Sequence, residues 1–109
     1  MDAKELRIGN WIHSKATHQD WQIELDSIEL VLKSLDKVEP IPLTEEWMVN
    51  LGFDKKHWPV FFKNGVEFVS EQGIMRYYTH PNRWLDIDYV HELQNLYFAL
   101  TGKELECSK

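Results

Sequence analysis

At 109 residues, 43% of them hydrophobic, the chain is long enough to bury one core and too short for two. A formal charge of −6, with twelve scattered Lys and Arg residues, argues against a broad phosphate-binding surface. The single cysteine, Cys107, excludes an internal disulfide and fits a reducing compartment. The opening MDAKELRIGN lacks a signal-peptide run, and no stretch approaches the ~18 apolar residues of a membrane span. The expectation is one soluble, cytoplasmic domain over residues 1–109.

Residues 1–5 are polar and expected to fray. Leu6–His13 alternates Leu6, Ile8 and then Trp11, a strand bent at Gly9-Asn10. After a polar loop over 14–19, Trp21, Ile23 and Leu25 alternate as its hairpin partner. The period then changes: Ile28, Val31, Leu32 and Leu35 predict a short helix over 26–35. Asp26 and Glu29 have capping-box spacing, and Glu29 sits one turn before Lys33. Pro40 and Pro42 hold 39–43 extended.

Thr44 then caps a second helix whose first turn carries Glu45 and Glu46. Leu43 and Met48 have the spacing of a hydrophobic staple, and Gly52-Phe53 matches a Schellman ending. Residues 54–58 read as a polar loop tipped by Trp58. Asn64-Gly65 predicts a type I′ hairpin joining 59–63 to 66–70. That turn sets Phe61 opposite Phe68 and Val60 opposite Val69. One face then holds Phe61, Val66 and Phe68. The other holds Val60, Phe62 and Val69, and is either covered in turn or an interaction surface. Strands over 74–79 and 83–87 follow.

The longest amphipathic stretch is DYVHELQNLYFALTG, residues 88–102. Tyr89, Val90, Leu93, Leu96, Tyr97 and Leu100 fall within an arc of roughly 120°, with Asp88 as expected N-cap and Gly102 as terminator. Together the elements predict an α+β fold: an antiparallel sheet of about five strands, the long C-terminal helix packed on it, and two shorter helices.

No stretch spells out a chemistry. The five histidines lack HExxH or Cys/His zinc spacing. His13, His18 and Asp20 could meet across the first hairpin, and Asp86, Asp88 and His91 form the other polar grouping. The serines and Cys107 lack a base or an oxyanion-stabilising turn, and the five glycines are isolated singles. No catalytic, cofactor-binding or metal-ligating residue is assigned, and an enzyme is not expected.

The functional signal is aromatic surplus, 13% of the chain with five tryptophans. On the last helix Phe98 lies nearly opposite Tyr89, amid His91, Gln94 and Asn95. Either a second layer such as the amino-terminal segment covers it, or it is open to a partner. Trp58 in its loop, Phe62 on the hairpin and Trp84 beside Arg83 are similar cases, because Trp and Arg dominate binding hot spots. The candidate partner-binding set is Trp58, Phe62, Arg83, Trp84, His91, Asn95 and Phe98.

Three blocks, LRIGNWI (6–12), PIPLTEEWMVNLGF (40–53) and YVHELQNLYFALTGKEL (89–105), resemble a family of small proteins encoded by phages and prophages of Bacteroidota. The resemblance implies a viral accessory protein in a bacterial cytoplasm, and carries over no site residues. The expected function is non-enzymatic binding that inhibits or modulates a host protein or ribonucleoprotein complex, such as a CRISPR-type defence nuclease. The alternatives are a self-associating structural or replication-assembly component and a small nucleic-acid-binding module. Neither membrane association nor a cofactor is expected.

Overall fold

The computed structural model describes residues 6–24, 28–33 and 35–105. The capping box expected at Asp26 and Glu29, the Glu29–Lys33 pair, the strand end at Leu25, the frayed residues 1–5 and Cys107 lie outside what is described. The fold is α+β. Strands β1 (Trp11–Ser14), β2 (Gln19–Gln22) and β3 (Val38–Glu39) make a small sheet in the order β2-β1-β3. Strands β4 (Asp54–His57), β5 (Val60–Lys63), β6 (Val66–Glu71), β7 (Ile74–His80) and β8 (Arg83–Ile87) make an antiparallel meander in chain order. Helices α1 (Ile28–Lys33), α2 (Glu45–Asn50) and α3 (Val90–Thr101) complete the domain. No described helix is long and apolar enough to cross a membrane.

Turn chemistry sets the register of the meander. Asn64 and Gly65 both adopt positive φ, 50° and 83°, as a type I′ turn requires. The pairs Lys63↔Val66, Phe61↔Phe68 and Val60↔Val69 form as the two-residue turn dictates. Gln72 and Gly73 repeat the device between β6 and β7. The first strand of the meander replaces an expected loop. All four residues of β4 are exposed, so no apolar alternation marks it, and its charge and irregular register suit a protected edge.

One face of the meander carries the main core. Phe61, Val66, Phe68, Met75 and Ile87 pack there against Met48 and Leu51 from α2 and its end, and against Val90, Leu93 and Tyr97 of α3. Phe53 packs edge-on to both Phe68 and Tyr97, at 5.5 and 6.0 Å. Both ends of α2 form as expected. Thr44 Oγ1 accepts from Trp47 N at 3.2 Å, and Phe53 N and Gly52 N return to Met48 O and Val49 O in the Schellman pattern. Leu43 packs against the same core cluster that contains Met48.

The start of α3 differs from expectation. Tyr89 is the N-cap, and Asp88 caps nothing; instead Glu92 reaches back, its Oε1 accepting from Asp88 N and Tyr89 N. The Val90 amide, which an Asp88 cap would have served, donates instead to Ile41 O, so the helix starts one residue later.

The first hairpin belongs to the small sheet, with its own cluster of Ile12, Ile23, Val31 and Val38. Its first strand begins at Trp11, because Gly9 at φ 98° turns the chain and donates its N–H to Ile23 O. This sheet is fastened to α3 by polar side chains. Gln94 accepts from Trp11 N and donates to Gly9 O, both at 2.8 Å, and Asn95 accepts from Arg7 Nε and Asn10 Nδ2.

Candidate protein-interaction face

Strand alternation leaves the second face of the meander without a helix among the described residues, since α2 and α3 pack on the first face and α1 on the small sheet. The open face is built in rows by the register. One row runs His57, Val60, Val69, Arg76 and Asp86 across all five strands. The next holds Asp54, Phe62 and Glu67 on β4–β6, with Tyr78 opposite Trp84 on β7 and β8. Two depressions mark the surface. One, about 440 Å³, is lined by His57, Val60, Phe62 and Glu67; the other, about 260 Å³, by Gly65, Glu67, Val69, Tyr77 and Tyr78.

The β7–β8 half is preorganised. The Arg76 guanidinium lies 4.9 Å from the centre of the Trp84 ring while donating to Asp86 and Glu71, each at 3.2 Å. Tyr78 packs at 5.6 Å from Trp84 and donates its hydroxyl to Glu71. The hydrogen bond to Glu71, aided by desolvation, raises the Tyr78 phenol above its ordinary pKa. A raised pKa means that the neutral, donating form is favoured in the fold. Its contribution is complete below the ordinary tyrosine range and is lost as pH climbs through the elevated value. In an alkaline titration followed by tyrosinate absorbance, Tyr78 should ionise above the ordinary tyrosine range, and Glu71→Gln should lower it toward that range. An unchanged titration in that variant would remove the hydrogen bond as the cause.

The seven residues singled out in the sequence are distributed over several surfaces. Phe62 and Trp84, each 44% exposed, share the open face. Arg83 alternates with Trp84 and so points to the other side, though both border the depression at the β7–β8 turn. Trp58 is 62% exposed at the β4–β5 turn, held by a hydrogen bond from Nε1 to Glu45. Phe98 is on α3, across the sheet from Phe62, with the Arg7 guanidinium 4.7 Å from its ring centre. The amino-terminal segment thus covers one side of Phe98 and leaves it 41% exposed.

Two assignments need correction. His91 was placed on the solvent side of the last helix but is 1% exposed, stacked on Tyr89. Asn95 is committed to Arg7 and Asn10. The polar side of α3 faces the amino-terminal segment, not water, so neither residue presents a free contact surface.

The acid–base groupings are only partly assembled. His13 Nδ1 does meet Asp20 Oδ1 at 2.8 Å, and Glu39 Oε1 approaches Nε2 at 3.8 Å, but His18 lies exposed on the turn. Asp86 is engaged by Arg76, far in role from exposed Asp88 and buried His91. Among the described residues no three His, Cys, Asp or Glu side chains are grouped to hold a metal ion.

Glu67, Glu71, Arg76 and Tyr78 carry no local signal in the sequence, and Asp86 stands there only in the grouping with Asp88 and His91. Extending the hairpin register into the next two strands would have found them, because Ile74, Arg76 and Tyr78 alternate away from Met75 and Tyr77. Carboxylates Asp54, Glu67, Glu71 and Asp86 outnumber the cations Arg76 and Lys56, the latter paired with Asp54, a balance that favours cationic over phosphate surfaces. Comparisons of the chain with protein-family models, with curated proteins and with solved structures return no match.

Proposed function

We propose that this protein acts by stoichiometric, non-enzymatic binding, with the open face of the meander docked on a basic surface of a bacterial host protein. The observation that carries this reading is an apolar and aromatic set, Val60, Phe62, Val69, Tyr78 and Trp84, interleaved with Glu67 and Arg76 on a face that no described helix covers. Rings supply most of the affinity when they fill pockets on a partner. The surrounding carboxylates speed the encounter and reject acidic surfaces.

The blocks resembling phage and prophage proteins support a host target. A nucleic-acid-guided defence nuclease combines a basic substrate channel with a role against phage, and is the target class we favour. Occupying that channel with an acidic, aromatic face would exclude the nucleic acid.

The exposed edge of β8 favours a second reading. Arg83–Ile87 pairs with β7 on one flank, and Trp84 and Leu85 remain half exposed on opposite sides of the strand. Such an edge can add a strand from a second copy.

One experiment separates the two. The tagged protein is used to capture partners from the bacterial host, and affinity for the captured protein is then measured for wild type, Phe62→Ala/Trp84→Ala and Phe98→Ala. Loss of two hot-spot rings should weaken binding by about 30-fold or more in the first variant, with Phe98→Ala near wild type. Equal binding by all three would overturn the docking face. Light scattering that finds a stable homodimer, dispersed by Trp84→Lys, would transfer the open surface to self-assembly.

A further inference from the structure

We infer that Glu67, which shares one depression with Phe62 and another with Tyr78, is the receptor for an arginine side chain of the docked partner. The inference rests on the docking reading and names the chemistry at its centre. Glu67 is exposed, opposite Phe62 in the register, and lines both depressions of the open face. Among the described residues it has no hydrogen-bond or ion-pair partner, whereas Asp54 pairs with Lys56, Glu71 with Arg76 and Tyr78, and Asp86 with Arg76.

The same chain shows twice what such a combination holds. Arg7 lies over the Phe98 ring and pairs with Glu104; Arg76 lies over the Trp84 ring and pairs with Asp86 and Glu71. Each site is a ring for the guanidinium face and a carboxylate for its edge. Phe62, Tyr78 and Glu67 are a third such set, and the arginine is missing.

Shape and charge favour arginine over other occupants. Val60, Val69 and the rings offer apolar walls for a methylene stem, which a small anion or a sugar would not use. A planar guanidinium stacks on a ring and still offers paired N–H donors to a carboxylate. An ammonium is a point charge with a tightly held water shell, and gains less from the rings.

The test is a nuclear magnetic resonance titration of the full chain with N-acetyl-L-arginine amide at constant ionic strength. The neutral citrulline analogue and the lysine amide serve as controls. One side chain on an open surface should give saturable shifts on the order of 0.1 M or tighter, centred on Phe62, Glu67 and Tyr78. Citrulline should produce none of them, and lysine should bind several-fold more weakly. Glu67→Gln, at an exposed position with no described partner, should fold normally and weaken the arginine response about fivefold or more, as should Phe62→Ala. Equal responses to citrulline, an undiminished response in Glu67→Gln, or the absence of saturable shifts would each overturn the assignment. Loss of the captured partner in Phe62→Ala/Trp84→Ala without any arginine response would keep the docking face and remove the arginine subsite. An arginine response at Glu67 with capture unaffected would keep the subsite and remove the docking face.

Discussion

Phe61→Ala is expected to destabilise the fold by about 3–5 kcal/mol, while Phe62→Ala, one residue away, should cost less than about 1 kcal/mol. The two side chains leave β5 on opposite faces. Phe61 is 0% exposed and sits opposite Phe68 in the main core, so truncation removes a buried ring and leaves a cavity between sheet and helices. Phe62 faces outward, where alanine exposes no core and opens no void. For a domain with the usual 5–15 kcal/mol, the first change consumes a large share of stability. Urea unfolding midpoints of both variants measure the contrast. Similar destabilisation would mean that something covers the Phe62 face, and the docking reading would lose its surface. The paired outcome matters for function as well, because Phe62→Ala can report on partner binding only if it leaves the fold intact.

Gln94→Ala should cost about 2–3 kcal/mol and loosen the small sheet before the meander. Gln94 is fully buried, and its amide serves two backbone groups of the amino-terminal segment, Trp11 N and Gly9 O. Removing it leaves the Trp11 N–H without its acceptor, at a price of about 1–3 kcal/mol, and adds a small void. Gly9 O keeps a second donor, Gln22 Nε2, so the loss there is smaller. Ile12, Ile23, Val31 and Val38 form a cluster of their own, and of the small sheet's described residues only Trp11 packs on the main core, against Trp47, which lets the small cluster open first. Amide hydrogen exchange should therefore accelerate at Trp11 and its strand neighbours in this variant, with Phe68 and Met75 keeping their protection. Uniform acceleration across both sheets would show instead that the domain opens as one unit. Gln94→Glu retains the acceptor and loses the donor, so it should fall between wild type and alanine.

Elements with local chemical signatures were legible in advance. Asn64-Gly65 determines its turn because both positions need positive φ, and the register of Phe61 with Phe68 follows by counting. Thr44, Gly52 and Phe53 bracket α2 because capping consumes amides and carbonyls within a few residues of each other. β4 was missed because an edge strand is defined by a neighbour and not by its own pattern; Asp54–His57 carries no alternation to read. Asp88 is not the cap because the distant 41–43 segment pairs with 88–90. Leu43 N donates to Asp88 O and Val90 N to Ile41 O, and this delays the helix by one residue. The candidate site was half legible: aromatic excess flagged Phe62 and Trp84, but Glu67 and Glu71 join them only through the register between neighbouring strands.

Period, capping and turn geometry are properties of a few adjacent residues, and at those scales the amino-acid sequence by itself determined the α+β class, the α2 boundaries and the two faces of the central hairpin. Which of those faces stays open, and that the polar side of α3 is buried beneath Arg7, Asn10 and Gly9, only the tertiary structure decided. The reason is that burial depends on what arrives from elsewhere in the chain. A helical wheel shows His91, Gln94 and Asn95 as polar, and polar residues are buried wherever a distant segment brings matching donors and acceptors.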